Sequence, residues 1–103
     1  MSIIMKIYWS NVAEVGTPTA GDITSGAITV TGQVGWYKDN ATWGVAYKKH
    51  SASSWSHKAS SSQSISETIS SLTANTKYDI KLYVRFNGEY QYGPEINATT
   101  LAE

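Results

Sequence analysis

The chain has 103 residues, enough for one hydrophobic core and too few to give a second core adequate burial. Eight Lys and Arg balance eight Asp and Glu, which argues against a nucleic-acid binder or a polybasic membrane patch, since both draw on a surplus of cations. Without cysteine, neither a disulfide framework nor a thiolate zinc site is available, so packing has to hold the fold.

Residues 1–11, Met-Ser-Ile-Ile-Met-Lys-Ile-Tyr-Trp-Ser-Asn, lack the uninterrupted apolar stretch and small-residue cleavage site of an export signal. They read as a leader, a linker or an extra strand, with residues 12–103 forming one domain. No run approaches the ~20 apolar residues that span a bilayer, so no membrane insertion is expected.

Thr, Ser, Val, Ile, Tyr and Trp dominate the remainder, and Leu, Glu, Lys and Ala do not recur at helical spacing, so short strands are predicted throughout. A first strand falls at 15–24 around Ile23. A second, at 27–34, turns Ile28 and Val30 inward, and a third, at 42–49, does the same with Trp43, Val45 and Tyr47. Strands at 55–59 around Trp55 and at 64–70 with Ile65 and Ile69 follow. The clearest is 77–86, where Tyr78, Ile80, Leu82, Val84 and Phe86 alternate with Asp79, Lys81, Tyr83 and Arg85. Asn87-Gly88 then signals a hairpin, because both residues tolerate positive φ, leading into a last strand at 94–100 with Ile96 and Ala98. Seven antiparallel strands at these intervals predict an all-β sandwich.

The stretch Leu72-Thr-Ala-Asn-Thr76-Lys-Tyr78 resembles the Leu-x-Pro-x-Thr-x-Tyr signature before the sixth strand of fibronectin type III domains. There the tyrosine buries its ring while its hydroxyl binds upstream backbone, a tyrosine corner. The ending Tyr92-Gly93-Pro94-Glu95-Ile96-Asn97-Ala98-Thr99-Thr100-Leu101 is similar to the last strand of the same family, most of all to repeats of bacterial surface proteins, as is Gly16-Thr17-Pro18-Thr19 at the start. The resemblance spans residues 15–101 and implies a seven-stranded immunoglobulin-like sandwich. Two positions depart from it. Ala74 stands where the signature has Pro, and Gly32 stands where animal members carry a Trp, leaving Trp43 as the candidate to refill the core. Trp43, Leu72, Tyr78, Ile80, Leu82 and Val84 are the expected structural residues. No Arg-Gly-Asp tripeptide is present, so animal-type integrin recognition is not implied.

The sequence offers little for catalysis. His50 and His57 lie near many serines, but no strained nucleophile turn occurs, and no residue is assigned a catalytic role. Two histidines seven apart with scattered carboxylates complete no metal shell, and no phosphate-binding glycine loop opens a helix, so neither metal nor cofactor is expected. In the resembling fold the loops at 35–42 and 86–93 share one end, which would gather Trp36, Tyr37, Tyr90 and Tyr92 into a binding surface for a protein or a glycan. The bland reading is that these rings cover the end of the core or a neighbouring repeat. His57, Lys48, Lys81 and Tyr83 read as ordinary solvated strand surface. The expectation is a non-catalytic module, monomeric in isolation, that spaces neighbouring domains or binds a partner within a larger extracellular or cell-surface bacterial protein. The alternatives are a carbohydrate-binding module and a small structural protein of a phage particle.

Overall fold

Period-two alternation decides which side of each strand is buried, and the computed structural model, described over residues 14–35, 41–86 and 88–103, places nine strands accordingly. They are β1 (Glu14–Val15), β2 (Thr19–Gly21), β3 (Ile28–Gly35), β4 (Ala41–Lys49), β5 (Ser56–Ser60), β6 (Ser64–Ile69), β7 (Lys77–Phe86), β8 (Glu89–Tyr92) and β9 (Ile96–Thr99). The leader at 1–11 and the predicted binding residues Trp36 and Tyr37 lie outside the described residues. The count exceeds seven because the first predicted strand is divided in two and because β8 forms within 86–93, the stretch expected to be a loop. Pro18 has no N–H for a ladder and separates β1 from β2, while Gly93-Pro94-Glu95 separates β8 from β9.

One sheet has β3 at its centre, paired antiparallel with β1, β2 and β6. The other runs β5-β4-β7-β8, with β9 also pairing with β7. Between them lie Ile28, Val30, Val34, Val45, Ile65, Ile69, Tyr78, Ile80, Leu82 and Val84, all buried, with Trp43, Tyr47, Leu72 and Ile96 partly buried against them. The place of the absent tryptophan is taken from the facing sheet. A Cβ on Gly32 would sit 2.6 Å from Leu82 Cδ1, so the leucine fills that gap, and Trp43 packs only partly buried beside Val84 in register.

The corner forms as the signature implies. Thr73 N–H donates to the Tyr78 hydroxyl at 2.9 Å. Asn75 takes a left-handed conformation at φ 53°, which an asparagine tolerates better than most residues. Thr100, itself buried, donates to the Thr73 carbonyl at 2.6 Å and accepts from Thr76 N–H at 3.0 Å. The loop is thereby tied to the residue that follows β9 as well as to Tyr78. Tyr78→Phe keeps the ring but strands the Thr73 amide, so urea unfolding is expected to show a loss of about 1 kcal/mol.

The two outward faces differ in character. On the β3 sheet they carry mainly Thr, Ser and Gln, with Glu14 at the β1 edge: Thr29 and Thr68 hydroxyls meet at 3.0 Å, and Gln33 Nε2 donates to Ser64 Oγ at 3.3 Å. On the β4–β7 sheet they carry rings and cations.

Candidate functional site

Because the turn at Gly88 (φ 80°) is tight, the ladder resumes at once and β8 lies flat on β7, with Tyr92 opposite Tyr83 and Tyr90 opposite Arg85. Tyr90 and Tyr92 therefore stand on the outer face of the sheet and not in an end loop. Two residues apart on one strand, they share a side; their rings are parallel within 6° with centroids 5.6 Å apart, and they are 39% and 40% exposed.

His57 reaches the same patch from β5, across β4. Its ring lies 4.5 Å from Tyr90 at 25°, meets Tyr83 edge-on at 4.9 Å, and shares a 3.0 Å hydrogen bond between Nε2 and Tyr92 Oη. Gly44 makes this approach possible. It sits between Ala59 and Tyr83 in register, and a Cβ there would fall on the Lys58 carbonyl of β5. Gly44→Ala is expected to force β5 away, costing about 1–3 kcal/mol of stability and exposing Tyr83, which is only 4% exposed in the native fold. Thermal melting and tyrosine solvent accessibility would check it.

Cations complete the surface. The Lys81 ammonium lies 3.8 Å from the Tyr92 ring centroid and 4.1 Å from that of Trp55; Lys48 sits 5.2 Å from Trp55, and Arg85 lies 5.6 Å from Tyr90. Such contacts hold a cation in place without neutralising it. Among the described residues Lys48 alone of these cations has a carboxylate partner, donating to Asp79 at 3.1 Å. Asp79 also accepts from His50 at 2.9 Å and from Asn97 at 2.7 Å.

These contacts set the protonation states. Burial pushes the Asp79 carboxyl up, but the hydrogen bonds from His50 and Lys48 and their positive charge outweigh it, leaving its pKa below the ordinary value. Burial and the Lys81 charge lower the His57 pKa, which favours the neutral ring. Burial raises the pKa of both Tyr83 and Tyr92, with Tyr90 adding to it, so their hydroxyls stay protonated hydrogen-bonding groups.

The expected set of four rings is thus represented among the described residues by Tyr90 and Tyr92, joined by His57, Lys81 and Tyr83, read as ordinary surface, and by Trp55, expected only as the centre of a strand. Trp43 is an inner-face residue whose indole N–H has no hydrogen-bond partner among the described residues. Also among these residues, no group of three His, Cys, Asp or Glu side chains is placed to hold a metal. The sequence signal for the patch was the outward alternation Lys81, Tyr83, Arg85; what it lacked was the strand order that brings β5 and β8 to either side.

No family model matches the chain, and no curated protein matches it. Solved structures do. A fibronectin type III domain from the human KIAA0970 protein superposes with a TM-score of 0.67 at 13% identity, covering 98% of this chain and 82% of that one. The fibronectin type III domain of human collagen XX gives 0.65 at 12% identity, over 86% and 92% of the two chains. The sensor domain of the anti-sigma factor RsgI4 of Pseudobacteroides cellulosolvens gives 0.62 at 22% identity, over 87% and 74%. At these identities the likeness is one of architecture, and with the tyrosine corner in place the chain is a fibronectin type III-like β-sandwich.

Proposed function

We propose that this sandwich is a non-catalytic binding module whose partner docks on the outer face of the β5-β4-β7-β8 sheet, within a larger extracellular or cell-surface bacterial protein whose neighbouring domains it also spaces. The observation that supports this reading is the pair of parallel, roughly 40% exposed rings Tyr90 and Tyr92, set in a continuous field of Trp55, His57 and Lys81. Large amphipathic rings held rigid by their neighbours contribute much contact area at little entropic cost, which is why they anchor interfaces. The titratable groups are engaged in holding this surface together: His57 is bound to Tyr92 and Asp79 to Lys48, His50 and Asn97. That use favours recognition over chemistry.

A protein partner fits better than a sugar. A pyranose stacks on an open ring face, whereas Lys81 caps Tyr92 and His57 lies against Tyr90. Selection from displayed random peptides, run beside a glycan array, tests the reading. Ligands enriched on the native domain are expected to be lost from a folded Tyr90→Ala/Tyr92→Ala variant; enrichment that survives in the variant, or none at all on either support, would overturn it.

A further inference from the structure

The register separates charge in a way the formally neutral sequence hides. Outward positions on the β4–β7 sheet place Lys48, Lys77, Lys81 and Arg85 on one side of the molecule against the single carboxylate Asp79. Asp79 is 3% exposed and already holds Lys48, His50 and Asn97. Among the described residues Lys81 and Arg85 pair with no carboxylate; each rests instead on an aromatic ring.

The two cations are four residues apart on one strand and on one side of it, which sets them about 13 Å apart along β7 at ~3.3 Å per residue. Tyr90 and Tyr92 lie alongside in β8 and present exposed rings. An extended peptide has the same rise, so two carboxylates four residues apart along it meet Lys81 and Arg85 together, while the side chain midway between them, on the same side of the peptide, rests on the tyrosines. We propose, building on the binding role above, that this face recognises an extended acidic segment of a protein partner, with carboxylates at positions i and i+4 seated on Lys81 and Arg85. Charge complementarity and matched spacing set the preference.

The test titrates the native domain with a peptide containing Glu-Thr-Val-Thr-Glu, following amide shifts by NMR and affinity by calorimetry. Controls are the same peptide with both Glu replaced by Gln, a version with Glu at adjacent positions, a polygalacturonate oligomer and a short DNA oligonucleotide. The i, i+4 peptide is expected to bind, shift Lys81, Arg85, Tyr90 and Tyr92, and weaken as salt rises. Arg85→Gln and Lys81→Gln are each expected to reduce affinity about three- to tenfold. Arg85→Glu is expected to regain binding to a peptide with Lys in place of the facing Glu. Because Arg85 is exposed, its variants fold even where Lys81→Gln does not. No binding, equal binding of the Gln peptide, indifference to Glu spacing, or binding of the uronate or DNA in place of the peptide would each overturn the acidic-segment proposal. Displayed ligands of other chemistry that still depend on Tyr90 and Tyr92 would leave the binding role standing.

Discussion

Asp79→Ala is expected to lower the unfolding free energy by about 3 kcal/mol, the lower end of the range for breaking a buried ion pair, because His50 on one side of it reaches solvent. The carboxylate gathers three donors from separate parts of the chain: Lys48 on β4, His50 in the turn after it, and Asn97 on β9. Without it, among the described residues Lys48 keeps the His50 and Ala52 carbonyls as acceptors, and its side chain, 14% exposed in the native fold, loses its opposite charge. Asp79→Asn is expected to lose less, since an amide oxygen still accepts. Urea unfolding of the three proteins would rank them.

Acid gives an independent check on the same group. Its folded-state pKa is depressed below 3.8, so above that value both folded and unfolded chains are ionised and the full stabilisation is present. As pH falls from 3.8 towards the folded value, the unfolded chain takes up the proton first and the stabilisation is lost. The stability gap between native protein and Asp79→Ala is therefore expected to narrow as the pH falls below about 4. A gap that widened with acid would mean that the partners do not favour the ionised form.

Leu82→Ala is the second large effect, an expected loss of about 2–5 kcal/mol, since Leu82 is fully buried and its Cδ1 occupies the space over Gly32. The same contact makes Gly32→Ala costly by about 1–3 kcal/mol, because the added methyl would overlap the leucine. The two changes are expected to be strongly non-additive. In Leu82→Ala the methyl of Gly32→Ala enters vacated space, so the double variant is expected to be no less stable than Leu82→Ala alone. Simple additivity in a double-mutant cycle would show that another side chain fills the gap.

The sandwich was legible because its signals are local. The inward residues of β7 and the Leu72–Tyr78 signature each lie within one short stretch. Of the residues they imply, Tyr78, Ile80, Leu82 and Val84 are in the buried core and Leu72 is partly buried against it, while Phe86 at the strand end is only half-buried. Strand count was less legible: Pro18 and Gly93-Pro94 mark breaks, yet a break and a bend in one strand share the same residues. The outer face was largely hidden. Alternation reports that Lys81 and Tyr83 point away from the core, but only the order β5-β4-β7-β8 makes a cover for them out of His57, 26 residues from Tyr83, and Tyr92, nine residues from it. His57 in particular sits beside a serine-rich run that reads as solvated loop and edge. The charge balance misled for a related reason, since a sum over the chain carries no information about which side each charge occupies.

That one-sided placement governs how the protein meets a charged solid. The face with Lys48, Lys77, Lys81 and Arg85 presents a local field that the opposite hydroxyl-bearing face does not cancel at contact distance, because opposing charges beyond a Debye length of about 8–10 Å are screened out. On a sulfonate resin at neutral pH, a protein whose charges sum to zero is thus expected to be retained in a single orientation, and to elute earlier once Arg85 is neutralised.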